Sequence, residues 1–300
     1  MRIGFTLPQF GPFAGDGSGV TRFARRAEEL GAASLWVGDR LLAPVHPKVG
    51  YGGSDAIPAE FSVRLDPFAL LAAAAAVTER VRLGTNVLNA PWYPPALLAR
   101  SLTTIDALSG GRLVPGLGTG WSPEEYEAVN VPMTERGARL DECLDALEAL
   151  WTTDPAEYRG RHWTVPETHD SFKPVRTPPV YLAGYAPAAM RRIARRAAGW
   201  LPVITPPAEY DPATAILAPL ANLRQLAADA GRDPAELGAI LRVYPRADAG
   251  VADVVTAIER TAQDTDLDDV FVDLTFTARS TDHALELVET ILGQTSHEPA

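Results

Sequence analysis

A chain of 300 residues, 46% of them hydrophobic, can bury a full core as one large α/β domain or two small ones, and disorder is excluded. Its formal charge of −11 argues against nucleic acid and favours a small-molecule partner. Only Lys48 and Lys173 supply lysine, both in proline-flanked loops, which disfavours Schiff-base chemistry, and the lone Cys143 excludes an internal disulfide framework and reads as a core residue.

The chain opens on MRIGFTLPQF, which lacks a charged-then-apolar secretory pattern, so a cytoplasmic protein is expected. Arg2–Leu7 reads as the first strand, Gly19–Leu30 as a helix and Ser34–Val37 as the second strand. A Gly- and Pro-rich stretch, Leu41–Arg64, follows. Asp66 before Pro67 then opens a helix over Pro67–Thr78, whose apolar run Phe68–Val77 is about half the length of a membrane span. Val81–Val87 is the third strand, Pro94–Leu108 a helix, Arg112–Leu117 the fourth strand and Thr134–Trp151 a helix. After a second long connection, Thr152–Pro178, come strand Val180–Ala183, helix Pro187–Ala197, strand Trp200–Ile204 and helix Pro212–Ala230. Strand Ala239–Tyr244, helix Val251–Ala262, strand Val270–Phe276 and helix Thr281–Leu292 complete the pattern.

Eight strands alternating with eight helices predict one domain over residues 1–300, a closed (β/α)8 TIM barrel with insertions after strand 2 and before strand 5. An open dinucleotide-binding sheet would need GxGxxG after the first strand, and LPQFGPFAGDGSG does not supply it. The first insertion leaves the C-terminal end of a strand and suits a lid over a barrel site. In the second, YRGRHW reads as a short extended piece that folds back over the barrel. Substrate contacts are expected from both.

Barrel sites form at strand C-termini, so the residues there are the candidates. Asp39 is the only carboxylate ending the first four strands, and is a candidate acid, base or hydrogen-bond acceptor unless it merely pairs with Arg40. Arg40 stays protonated; it can bind an anion or stabilise developing negative charge, or simply lie at the surface. Strand three ends Asn86-Val87-Leu88-Asn89. Gly118, Thr119 and Gly120 offer backbone N–H groups suited to a ribityl chain or phosphate, with Trp121 as a flat wall, although a tight turn alone would also use these glycines. Ala183, Gly184, Tyr185 and Ala186 lead into the helix at Pro187, whose N-terminus faces the rim and suits a phosphate, although plain capping of the helix would also account for it. The five histidines, His46, His162, His169, His283 and His297, lack ligand spacing, so no metal site is expected. Glu124 and Glu125 open a helix after GTGW and are explained by its dipole.

Taken in order, ARRAEELGAASLWVGDR, DPFALLAAAAAVTERVRLGTNVLN, PPALLARSLTTIDALSGGRLVPGLGTGW, EEYEAVNVPMTERGARLDECLDAL, YRGRHW and PPVYLAGYAPAAMRRIARRAAGWLP resemble the luciferase-like monooxygenase superfamily, the bacterial-luciferase-type flavin and deazaflavin oxidoreductases. The resemblance spans about residues 1 to 205. It implies coenzyme F420, or alternatively FMN, across the barrel mouth, with phosphate near Gly184 and Tyr185 and the side chain near Thr119 and Gly120. It also implies a non-proline cis peptide at Asn86-Val87 backing the ring. The F420 reading is preferred because LGTNVLN, SGGRL and AGYAPAAMRR resemble the deazaflavin branch. Two departures stand out. Arg40 replaces a histidine that follows the aspartate in many relatives, and Trp121 replaces a glutamate of sugar-phosphate-oxidising relatives, which disfavours a glucose-6-phosphate dehydrogenase.

The expected activity is hydride transfer between F420 and a small organic substrate. Asp39 would anchor or polarise cofactor or substrate, Arg40 would stabilise an anionic intermediate, and Tyr51, Tyr93 or Tyr185 would supply a proton. The alternatives are an FMN-dependent monooxygenase using oxygen and a barrel that binds a cofactor without turnover. The resemblance implies a homodimer through the second and third helices, although packing of the Ala-rich Phe68 helix on its own barrel would also explain that helix.

Overall fold

The computed structural model describes residues 1–208 and 210–295; His297 lies outside them. The first half of the chain runs β1 (Arg2–Thr6), α1 (Gly11–Ala14), α2 (Val20–Glu29), β2 (Ser34–Val37), α3 (Pro67–Ala75), β3 (Arg82–Thr85), β4 (Leu88–Asn89) and α4 (Pro95–Leu108). Then follow β5 (Leu113–Val114), β6 (Gly116–Gly118), α5 (Pro123–Ala128), α6 (Arg136–Thr152), β7 (Ala156–Arg159) and β8 (Thr164–Thr168). The remainder is β9 (Tyr181–Leu182), α7 (Pro187–Arg196), β10 (Gly199–Trp200), β11 (Val203–Ile204), α8 (Ala218–Asp229), β12 (Gly238–Val243), α9 (Val251–Asp264), β13 (Asp269–Val272) and α10 (Thr281–Thr295).

One parallel sheet carries the fold, in the order β4-β6-β9-β10-β12-β13-β1-β2-β3-β5, with β11 also on β12. Its ends meet through the chain, because β4 continues β3 and β6 continues β5. The sheet therefore curls in the TIM-barrel-like manner. Trp36, Val114, Ile240 and Phe271, from strands around the curl, and Leu201, between β10 and β11, form their own buried cluster, with Trp36 stacked on Phe271 at 4.4 Å. A larger cluster lies between the strands and the helices. Gly84 is required by this packing: a Cβ there would sit 2.3 Å from the Trp36 ring. Cys143 is buried in the larger cluster.

Several expected elements are interrupted, and the breaks have local causes. The fourth strand splits at Pro115 and the sixth at Pro202, where proline has no N–H for the ladder. The third splits at Asn86-Val87, which is a cis peptide, as the resemblance implied. The eighth stops at Val272 rather than Phe276, because the Asp273 carboxylate accepts the Thr275 N–H at 3.0 Å and turns the chain out of the sheet. The helix expected from Pro212 begins as a π-turn, Ala213–Leu217, before α8. Among the described residues no helix is long and apolar enough to cross a membrane.

The second long connection differs from expectation. Its β7–β8 hairpin packs on α6, where the Glu142 carboxylate accepts the N–H groups of Arg161, His162 and Trp163 at 2.8–3.0 Å.

Candidate active site

Strand ends place the site. Gln9, just past β1, donates to Gly38 O at 2.9 Å and to Leu65 O at 3.0 Å, while Gly38 N–H donates to its Oε1 at 2.6 Å. This buried amide ties the end of β2 to the far side of the long loop and fixes where Asp39 leaves the sheet. Beside it opens a cavity of about 480 Å3 at the C-terminal rim. Its walls contain Asp39, Arg40, Asn86, Val87, Asn89, Gly118, Thr119, Gly120, Trp121, Ala183, Gly184 and Tyr185. Two candidates are absent from the lining: Ala186, which caps α7 with no side-chain hydrogen bond, and Tyr93, which stands behind Asp39. The loop before α3 contributes Tyr51 and Phe61, whereas the connection 152–178, expected to supply substrate contacts, contributes none.

Asp39 is not paired with its neighbour Arg40. Its Oδ2 accepts the Asn89 N–H at 2.8 Å, and the Tyr93 hydroxyl donates to both oxygens at 3.0–3.1 Å. Burial pushes the carboxyl up to about 7; the Asn89 and Tyr93 donors pull it down, and Glu125 and Asp66 add to the rise. Burial and the adjacent Asp39 raise the Tyr93 phenol, so it remains a donor. With Tyr93 kept as a donor, the raised Asp39 carboxyl is the group placed to hold or release a proton near neutral pH.

The opposite walls are shaped by glycine. A Cβ on Gly118 would sit 2.5 Å from Val87 Cγ2, so the turn after β6 can approach the Asn86-Val87 bulge only without one. Gly184, at φ +150°, would put a Cβ 2.6 Å from that of Ala189, where α7 begins. Trp200 Nε1 donates to Gly184 O at 3.2 Å, and the Tyr185 hydroxyl accepts the Val203 N–H at 2.9 Å, fixing the ring as part of the wall.

Residues 1–286 match the family model described as luciferase-like monooxygenase. The chain belongs to the luciferase-like monooxygenase family. It is 34% identical to an uncharacterised protein of Mycobacterium tuberculosis over 243 residues, 77% of this chain and 82% of the relative. It is 30% identical to an F420-dependent glucose-6-phosphate dehydrogenase of Amycolatopsis mediterranei over 209 residues, 67% of this chain and 57% of that one. The monooxygenase RslO1 of Streptomyces bottropensis superposes with a TM-score of 0.75 at 20% identity, covering 98% of each chain. Luciferase-like relatives thus include F420-dependent oxidoreductases and monooxygenases.

Within this luciferase-like site, Arg40 and Glu125 depart from the sequence reading. Arg40 is only 7% exposed in its side chain, not a surface residue; its guanidinium lies over Trp121 at 4.6 Å and Phe61 at 5.2 Å. Glu125 is 1% exposed and stands 3.4 Å from Arg40, with its Oε1 accepting the Leu41 and Leu42 N–H groups at 2.7 and 3.0 Å. It is a buried anchor for the loop, not a dipole ornament. Burial lowers Arg40 and raises Glu125, each opposed by the other. Sequence reasoning also missed Arg242 and Tyr244. Arg242 donates to Asp273 Oδ2 through Nε and Nη2 at 3.1 and 2.6 Å, and its guanidinium lies 3.7 Å from the centre of the Tyr244 ring. Their signal was present: alternate residues at the C-terminal end of one strand point the same way.

Proposed function

We propose that this luciferase-like protein transfers a hydride between coenzyme F420 and a small organic substrate. The carrying observation is Asp39: a carboxyl in the cavity wall, held by Asn89 and Tyr93 and pushed up to about 7 by burial, which suits it to exchange a proton near neutral pH. The residues present fit a flat cofactor with a phosphate-bearing tail. The cavity volume lies within the range of roughly 300–1,000 Å3 typical of small-molecule sites. Asn86 and Val87 would back the ring, Gly118, Thr119 and Gly120 would flank its side chain, and Ala183 to Ala186 would present the uncapped N-terminus of α7 to its phosphate. When bound, the deazaflavin supplies hydride chemistry. Asp39 holds or takes the accompanying proton, Tyr93 orients its carboxyl, and Arg40 stabilises negative charge developing on the substrate.

The likeness to an F420-dependent relative supports this cofactor. An FMN-dependent monooxygenase is the second reading, supported by the family's description and the same ring-sized cavity. Trp121 continues to argue against a sugar-phosphate substrate. The proposal includes the eight-unit (β/α)8 reading of the curled sheet, with segments 41–64 and 152–178 as insertions. It also includes a homodimer through α3 and α4, which light scattering on the eluting protein tests. Parallel titration of the purified protein with F420 and FMN, then anaerobic turnover with the one that binds, tests the activity. Tight FMN binding without F420 binding selects the second reading, and binding without substrate-dependent oxidation selects a non-catalytic barrel.

A further inference from the structure

Two arginines line the cavity, Arg40 and Arg242, yet the carboxylates that pair with them, Glu125 and Asp273, do not. Both ion pairs therefore turn the cation toward the cavity and keep the anion in the wall. The carboxylates are already engaged. Asp273 takes two Arg242 donors on Oδ2 and the Thr275 N–H and Thr6 hydroxyl on Oδ1 at 3.0 and 3.5 Å. Glu125 gives Oε1 to the loop, and its 3.4 Å contact with Arg40 is an ion pair without a hydrogen bond. Arg40 Nε and Nη1 have no hydrogen-bond partner. Both atoms are enclosed by the protein, Nη1 facing Glu125 and the guanidinium lying against Trp121 and Phe61, so Arg40 acts on the cavity through its charge and not through a free donor.

The surroundings of the two cations are aromatic. Tyr51 donates to the Tyr244 hydroxyl at 3.1 Å, and its ring stands 5.5 Å from that of Trp121, bridging the Arg242 platform to the Arg40 platform. Charge presented on ring faces in a low-dielectric wall attracts an anion more strongly than charge in water. Asp39, the one carboxyl among the described lining residues, does not cancel it below neutral pH, because burial keeps it protonated there.

We infer that this aromatic end of the cavity binds a flat, apolar organic acid, its carboxylate anchored by Arg242 in the field of Arg40 and its body against the aromatic wall that Tyr51, Phe61 and Trp121 form. The inference rests on reading the cavity as a substrate site and names the substrate class. It is tested by calorimetric titration with cinnamate and its neutral counterpart cinnamamide, on the protein alone and with saturating F420. The wild type should bind cinnamate about tenfold or more tightly than cinnamamide, a difference of about 1.4 kcal/mol or more. Arg242→Lys should retain most of that preference and Arg242→Gln should lose it, with cinnamamide affinity unchanged. Equal affinities in the wild type, no cinnamate binding at millimolar concentration, or a full preference in folded Arg242→Gln would overturn the inference. The acid–amide comparison needs no variant to fold. F420 binding without acid preference refutes the substrate class alone, whereas acid preference without F420 binding refutes the cofactor alone.

Discussion

Replacing Asp39 by asparagine should make the protein more stable relative to wild type as the pH rises. The carboxyl is pushed from 3.8 up to about 7 by burial, against the pull of Asn89 and Tyr93. The folded state therefore binds more protons than the unfolded chain between those values. The stability of the wild type falls as the pH climbs through that window and levels off above it. Asparagine does not titrate. From about pH 5 to about pH 8.5 the wild type loses the interval from 5 to about 7, which at ~1.4 kcal/mol per pH unit is about 3 kcal/mol. For a chain of this size, at about 2 °C per kcal/mol, the gap in melting temperature between Asp39→Asn and wild type should widen by about 6 °C. The amide faces the same two donors at both pH values, so any mismatch with them cancels in the comparison. Circular-dichroism melts of both proteins at the two pH values measure it. A gap that stays constant to within about 1 °C would show that Asp39 ionises normally and does not hold a proton near neutrality.

Three further outcomes follow from the site. Glu125→Gln leaves the Arg40 guanidinium without its buried counter-charge and should destabilise the fold by about 3 kcal/mol, read from urea unfolding; a loss below about 1 kcal/mol means the pair contributes little. Gly118→Ala puts a methyl where Val87 Cγ2 lies 2.5 Å away, and should weaken F420 binding about tenfold by fluorescence titration, whereas unchanged affinity would remove the ring from that wall. Tyr93→Phe removes a donor that lowers Asp39, so the midpoint of the pH–rate profile near neutrality should move upward, and a downward or absent shift contradicts the pairing.

The sheet and the rim were legible because apolar runs with polar ends mark buried parallel strands whatever surrounds them. That is why residues as far apart as Asp39, Gly118 and Gly184 could be assigned to one mouth without a contact being known. The breaks at Pro115 and Pro202 were also written in the chain, since proline cannot donate to a ladder, but a run of apolar neighbours masked them. Glu125 was not legible. Its partners lie 84 and 83 residues away at Leu41 and Leu42, and a glutamate at the start of a helix has a sufficient local explanation in the dipole. The hairpin after α6 was misplaced for a similar reason: an extended segment shows its conformation in sequence, but only the three N–H groups gathered by Glu142 show which surface it covers.

The two departures from the family pattern, Arg40 and Trp121, were read as separate, and the structure joins them. The guanidinium rests on the Trp121 ring at 4.6 Å, and Glu125, four residues beyond that ring, supplies the counter-charge. A planar, delocalised cation needs a flat face and a carboxylate to be buried at such low exposure, and one short segment provides both. A glutamate at position 121 would place a second carboxylate beside Arg40 and neutralise the charge it directs at the cavity. Histidine at position 40 could take a proton, but arginine cannot. Under the proposed function, with Arg40 committed to charge, the proton would fall to Asp39, which Tyr93 holds and whose carboxyl burial pushes up to about 7. On that proposal the exchange of histidine for arginine would separate two tasks, leaving the handling of the proton to one neighbour and the recognition of negative charge to the other.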